Sequence, residues 1–266
     1  MKIVKLGFSV LACSIIAACS SGGGSGSQSS ASEISNPTVN KVNTSPSSPS
    51  VPPTATNSSH TGRVFVIKSV GMNDISITDV KLTNSDLTKI SVEGKEIQIV
   101  YPGIFAKKWS DMEVGDTQLL ACCGEYSDTR FGAYEGGPNG NAYLFHNGNP
   151  TKEMPSSGRA TYNGHVIVAG DTPHFEDDDY LKGTSQFTAD FSNKTLSGTL
   201  NVDTMQAINV NANISSNNFT GTASSGDFST SAKVEGKFYG DNAKELSGVF
   251  HDSKTWGGAF GAAKAQ

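Results

Sequence analysis

The sequence predicts an all-β protein that ends in an up-and-down β-barrel of about eight strands. Glycine is abundant, with 29 among 266 residues, and it recurs where an antiparallel sheet needs turns. Apolar residues alternate with polar residues along the C-terminal half, as they do in strands with one buried face. A meander of this length would leave exposed sheet edges, which closure into a barrel removes.

The first 18 residues have the organisation of a bacterial secretory signal. Lys2 and Lys5 precede an apolar stretch, residues 6–16, which is too short to span a membrane. The motif Ile16-Ala-Ala-Cys19 resembles the lipobox of bacterial lipoproteins. The resemblance implies cleavage before Cys19, a diacylglycerol on its thiol and a fatty acid such as palmitate on its amine. An ordinary signal peptide with a chance cysteine is the alternative.

Residues 19–61 are predicted to be a lipidated and disordered tether. They are rich in Ser and Gly and then in Pro, and they carry too few large apolar side chains to offset the entropy of ordering. Such a segment could hold a domain many tens of ångströms from a membrane. Ser20 after the lipid site resembles the signal of outer-membrane lipoproteins. The reach of the tether favours a surface-displayed binding protein over a periplasmic enzyme.

Charge and motifs exclude several classes of function. The formal net charge is −5, and it becomes −7 once Lys2 and Lys5 are removed with the signal. Long basic runs with interleaved aromatics are absent, so we expect no nucleic-acid partner. The sequence has no nucleophile elbow, no phosphate-binding loop and no zinc-protease helix, so it predicts no catalytic residue. We therefore expect a binding protein and not an enzyme.

Residues 62–157 are predicted to form antiparallel strands. The segment Lys107–Met112 fits a short helical turn or a loop, and residues 130–140 mix aromatics with flexible residues in a manner typical of a binding loop. The strand candidates, by apolar runs or period-two alternation, are Arg63–Val70, Asp74–Thr78, Glu96–Tyr101, Gln118–Cys123 and Asn141–His146.

Residues 158–266 are predicted to form the barrel. Asn147–Gly158 is the internal boundary, because its prolines and glycines deny regular structure. The barrel strands begin with Arg159–Ala169, in which Gly164 predicts a bulge or bend. The next candidates are the hairpin of Phe187–Phe191 and Thr195–Val202 and the alternating segment Ile208–Ile214. Three closing strands are expected after them: the first begins at Phe228, the second follows Gly236–Gly240, and the third begins at Trp256.

Several blocks of this half resemble the β-barrel domain of transferrin-binding protein B. They are Gly158-Arg-Ala-Thr-Tyr-Asn-Gly164, Phe187-x-Ala-Asp-Phe191, Gly236-Lys-Phe-Tyr-Gly240 and Gly257-Gly-Ala-Phe-Gly-Ala-Ala-Lys264. Related proteins are factor H binding protein, hemophilin-type haemophores and the nematode-colonisation lipoprotein of Xenorhabdus. The resemblance implies an N-terminal antiparallel handle before the eight-stranded barrel. It also implies export by the surface lipoprotein assembly modulator and a ligand met by the N-terminal half.

Cys122 and Cys123 are adjacent in a chain whose other mature cysteine is the lipidated Cys19. A vicinal disulfide and a pair of reduced thiols both remain open. Without a histidine nearby in the sequence, we predict no metal or redox role for the pair. His165 and His174 lack the spacing of a zinc pair, and the acidic residues 176–179 lack the pattern of a calcium loop.

The candidate ligand-binding residues are aromatic. Tyr126, Phe131, Tyr134 and Tyr143 are either an interface surface or the core of the handle. His146 follows an aromatic strand, and the resemblance to haemophores makes it a candidate axial ligand of haem. A hydrogen-bonded structural histidine is the alternative.

The sequence thus predicts an outer-membrane lipoprotein facing the extracellular side, which mediates host interaction or colonisation by binding a host protein or glycan. No cofactor is expected in that case. Capture of haem or a haemoprotein for iron acquisition is the alternative, and a structural envelope lipoprotein facing the periplasm is a third hypothesis.

Overall fold

A computed structural model describes residues 60–70, 75–101, 103, 109–136, 140–176 and 178–266. The predicted signal, Cys19 and nearly all of the predicted tether lie outside the described residues. Among the described residues there are sixteen β-strands and two 3₁₀ turns. None of the helical segments in this part of the chain is long and apolar enough to cross a membrane.

The N-terminal half forms a six-stranded antiparallel sheet and a separate two-stranded hairpin, and we call the two together the handle. The sheet has the order β2-β1-β8-β7-β6-β5, and β3 and β4 form the hairpin. The strands are β1 (Gly62–Ser69), β2 (Ile75–Leu82), β3 (Lys89–Val92), β4 (Lys95–Gln98), β5 (Ser110–Val114), β6 (Thr117–Cys122), β7 (Thr129–Glu135) and β8 (Ala142–Gly148).

Both faces of this sheet are covered. Val64, Val66 and Phe145 pack with hairpin residues such as Ile90 on one face. Phe65, Leu120, Phe131 and Leu144 pack on the opposite face, against the barrel. Successive side chains of a strand point to opposite faces, so double coverage makes the central strands apolar throughout. This explains the unbroken apolar run Val64–Ile67.

The C-terminal half forms a closed antiparallel barrel of eight strands. Closure occurs between β16 and β9, where Phe260 pairs with Val166. Aromatic side chains fill the interior, including Phe187, Phe219 and Phe238. The strands are β9 (Arg159–Gly170), β10 (Leu181–Asp190), β11 (Thr195–Val202), β12 (Ile208–Ser215), β13 (Asn218–Ser224), β14 (Ala232–Tyr239), β15 (Glu245–His251) and β16 (Trp256–Lys264).

The predicted fold class is confirmed, and four local predictions are wrong. Asp111 and Met112 lie in strand β5, because they pair with β6. Most of the predicted binding loop is the central strand β7, paired on both sides. Gly164 keeps an unbroken register with Ser185 and Ala262, so no bulge forms there. Phe228 precedes β14 and stacks on Trp256, with ring centroids 4.1 Å apart.

Candidate functional site

The handle packs on the outside of the barrel along a buried seam. Phe65, Phe131 and Leu144 of the handle meet Ile167 and Ala259 of the barrel. All five side chains are at most 2% exposed. Tight apolar packing of this kind favours a fixed arrangement of the two halves.

Two barrel glycines allow the seam to close. A Cβ on Gly261 would overlap the ring of Phe131, and a Cβ on Gly164 would lie 2.6 Å from the hydroxyl oxygen of Tyr126. The Tyr126 hydroxyl points toward the carbonyl oxygen of Gly261, at 3.4 Å. A glycine at position 164 is therefore explained by the close approach of the β16 backbone and of Tyr126, and not by the bend that the sequence suggested.

A buried carboxylate fixes the turn between β6 and β7 to the barrel. The backbone N–H of Ser127 donates to Glu245 Oε1 at 2.8 Å, and the N–H of Asp128 donates to Oε2 at 2.9 Å. Lys244 adds an ion pair with Asp128 at 2.6 Å. Hydrogen bonds to a charged acceptor are about twice as strong as neutral ones, so Glu245 locks the handle onto β15.

His146 lies inside the seam and not at a strand end. Its Nδ1 is 2.7 Å from the Tyr239 hydroxyl, which itself donates to the carbonyl oxygen of Thr61 at 3.0 Å. Because that hydroxyl has one proton, His146 Nδ1 is the protonated ring nitrogen. Burial, with the charges of Arg63 and Lys237 adding to it, holds the pKa of His146 well below its usual range. The ring is neutral and enclosed, so the structure does not offer it to haem.

The predicted aromatic residues do not form one surface. Tyr126 and Phe131 face the barrel, whereas Tyr143 and the half-buried Tyr134 face the hairpin and stack on each other at 5.9 Å. Tyr126, Phe131, Tyr143 and His146 are at most 1% exposed. The sheet separates the two groups, so their prediction as a binding surface is corrected to the alternative, which was handle core.

Cys122 and Cys123 lie at the end of β6, where the structure brings their sulfur atoms together as a disulfide requires. His165 of β9 lies beside them, and one ligand atom from each of the three residues lies within 4.8 Å of the others. His165 Nε2 is also 2.7 Å from Glu125 Oε1. Sequence reasoning missed this neighbour because it comes from the other half of the chain, with no motif spacing to reveal it.

One end of the handle sheet, which we call the free end, contains the end of β1, the β5–β6 turn and the end of β7. The register places the start of β8 on the same side as these three features. Val70 and Val114, the exposed large hydrophobic side chains among the described residues, both lie there, at 62% and 53% exposure. The opposite end carries the β6–β7 turn that Glu245 holds.

The barrel presents an uncharged polar groove on β10, β11 and β12. The groove has a volume of about 290 Å³. Amide and hydroxyl side chains dominate its lining, namely Gln186, Thr188, Ser197, Thr199, Asn209 and Asn211.

Comparison with known proteins identifies the barrel. Residues 154–264 match the family model described as the C-lobe and N-lobe beta barrels of Tf-binding protein B. An uncharacterized protein of Haemophilus influenzae is 38% identical over 226 residues, which cover 78% of this chain and 76% of that protein. Transferrin-binding protein B of Neisseria meningitidis serogroup B is 32% identical over 123 residues, which cover 37% of this chain but 17% of that protein.

Solved structures show the same fold. Transferrin-binding protein B from Haemophilus parasuis superposes with a TM-score of 0.59 at 22% identity, covering 77% of this chain and 45% of that chain. A protein described as a surface lipoprotein superposes with a TM-score of 0.55 at 22% identity, covering 77% of this chain and 99% of that chain. The described part of the chain therefore corresponds to less than half of the Haemophilus parasuis protein and to nearly all of the second.

Proposed function

We propose a binding function from the premise that this chain belongs to one family with the Haemophilus influenzae relative and carries the β-barrel domain of transferrin-binding protein B. In this proposal the chain is a non-enzymatic lipoprotein of the outer membrane, displayed on the cell surface through Cys19. It binds a host protein with the free end of the handle. The observation that carries the proposal is the exposure of Val70 and Val114 at that end of the sheet.

The free end is suited to binding because it exposes two large apolar side chains at the end of a packed sheet. Val70 follows β1 and Val114 ends β5, four strand positions apart in the sheet. Strands lie about 4.8 Å apart, so the two side chains span roughly 19 Å, comparable to the width of a small protein interface. In the proposed interface, Val70 and Val114 are two separate apolar contacts at the two sides of the free end.

The charge around Val114 indicates the chemistry of the partner. Glu113 and Asp116 are exposed on or beside the β5–β6 turn. A partner surface that combines an apolar patch with basic residues at its rim would complement them. Several relatives are named for binding transferrin, so an iron-carrying host protein is the first candidate. Export would use the surface lipoprotein assembly modulator.

A host glycan is the second candidate, and the barrel groove favours it. Amides and hydroxyls supply the donors and acceptors that sugar hydroxyl groups need, and the groove offers them without a charge. Haem remains an untested prediction. The enclosed position of His146 moves any such site away from that residue.

Three measurements test this proposal, two on cells and one on purified protein. Intact cells treated with protease should lose residues 60–266, and a Cys19→Ser variant should leave the membrane fraction. Immobilised chain from Ser20 to Gln266 should capture a defined protein from host plasma. Full protection of the chain in intact cells, with release only after membrane rupture, would support the periplasm-facing alternative.

A further inference from the structure

The two adjacent cysteines have neighbours that a structural disulfide does not need. Cys122 and Cys123 are at most 3% exposed, and His165 joins them from the barrel side of the seam. The carboxylate of Glu125 contacts the His165 ring, and both side chains are partly open to solvent, at 42% and 20% exposure. Sulfur, imidazole and carboxylate are thus gathered where the handle meets the barrel.

The spacing of these groups fits a tetrahedral metal ion. Zinc binds thiolate sulfur at about 2.3 Å and imidazole nitrogen at about 2.0 Å, so tetrahedral neighbours lie about 3.6–3.8 Å apart. The disulfide holds the two sulfur atoms in contact, and a ring nitrogen of His165 lies within 4.8 Å of both. Reduction breaks the sulfur–sulfur bond and frees the two sulfurs to move apart to the tetrahedral spacing. A carboxylate against the ring is also the usual partner of a metal-binding histidine.

We propose that the dithiol form of Cys122 and Cys123, together with His165, binds a thiophilic divalent cation such as Zn²⁺ across the seam. Thiolate ligands select soft or borderline metals, whereas Ca²⁺ and Mg²⁺ prefer oxygen. Glu125 orients the imidazole through its contact with the His165 ring. The oxidised pair has no thiolate to offer, so the disulfide form does not bind the metal.

Metal binding at this site requires reduction of the disulfide and then deprotonation of the two thiols. A phosphine reductant gives up two electrons and takes the oxygen of one water to become a phosphine oxide, and the two protons of that water convert the broken disulfide to two thiols. Metal binding releases these two protons and forms two metal–sulfur bonds. The guanidinium of Arg130, which lines a small crevice with both cysteines, offsets the negative charge of the two thiolates and Glu125.

Cobalt provides a direct optical test. The chain from Ser20 to Gln266 has Cys122 and Cys123 as its only cysteines. After reduction with a phosphine under anaerobic conditions, Co²⁺ should produce a thiolate-to-cobalt charge-transfer band and the visible bands of tetrahedral cobalt, saturating at one equivalent. Zn²⁺ should remove both sets of bands, and protein oxidised to the disulfide should produce neither.

Variants separate the proposed site from a simple dithiol chelate. His165→Ala should weaken binding about tenfold or more, since changes next to a metal cost 10–100-fold in affinity. His174→Ala is the matched control, because His174 pairs with Asp227 away from the cysteines, and it should bind as the unaltered chain does. Cys123→Ser should lose the charge-transfer band, with the fold checked by circular dichroism. Equal affinity of the His165→Ala and His174→Ala variants, or no charge-transfer band in the reduced chain, overturns the proposal.

Discussion

The ring of Phe131 in the handle occupies the space where a Cβ on Gly261 of the barrel would lie. Phe131 is fully buried, on the central strand β7, and Gly261 lies on β16, next to the strand that closes the barrel. The contact therefore joins a central strand of the handle sheet to β16, which closes the barrel by pairing with β9. It makes the seam dependent on a residue with no side chain.

Substitution of Gly261 by Ala should destabilise the protein because the new methyl group overlaps the Phe131 ring. Overpacking of this kind costs about 1–3 kcal/mol in the free energy of unfolding. Urea denaturation measures the loss. Phe131→Ala alone should cost about 3–5 kcal/mol, because it leaves a cavity.

The double variant Gly261→Ala/Phe131→Ala tests the contact itself. The methyl group then fills part of the cavity, so the combined cost should be smaller than the sum of the two single costs. Strictly additive losses of unfolding free energy would mean that the two residues do not interact.

Glu245 should contribute to stability through the three hydrogen bonds it accepts from Ser127 and Asp128 in the β6–β7 turn. Glu245→Ala leaves two partly buried N–H groups without their acceptor, and we expect a loss of about 1–3 kcal/mol in urea denaturation. Glu96→Ala is the control, because its ion pair with Lys89 lies exposed on the hairpin, where solvent screens the attraction, so its loss should change stability little. Similar losses for the two variants would contradict the role of Glu245.

Acid should destabilise the protein through His146. Its pKa in the folded protein lies well below 6.5 because the ring is buried, so below about pH 6.5 the unfolded chain binds a proton that the folded chain does not. Stability therefore rises with pH in this window and falls on acidification. His60 and His251 act in the same direction, since burial lowers the pKa of each.

The contribution of His146 is isolated by comparison with His146→Gln, which keeps the other histidines. Between pH 5 and pH 6 the unaltered chain should lose about 1 kcal/mol more per pH unit than this variant. Urea denaturation at several pH values gives both slopes. Equal slopes would show that His146 titrates alike in the folded and unfolded chains.

The sequence predicted the barrel well where one face of a strand meets water. In β12 the buried Ile208 and Val210 alternate with the exposed Asn209 and Asn211, so pattern alone gives both the element and its face. The same rule failed at β7, which is covered on both sides. Without alternation, Phe131 and its flexible neighbours resembled a loop.

The site was harder to predict because it depends on contacts between the two halves. Gly164 has the same appearance in the sequence whether a strand bends or a Tyr126 hydroxyl lies close to it. Glu125 and His165 are 40 residues apart, and only the seam brings them together. Residue type suggested that Tyr126 and His146 mattered, but it could not distinguish a binding surface from buried packing.

Binding by the free end of the handle is tested most directly by capture from host plasma with matched variants. Val70→Asp/Val114→Asp places two charges on the proposed surface, and Asn209→Asp/Asn211→Asp places two on the barrel groove; all four positions are exposed, so the fold should persist. We predict that the first variant loses the captured protein at least tenfold, while the second retains it. Loss of capture by the groove variant alone would contradict the account and assign binding to the barrel.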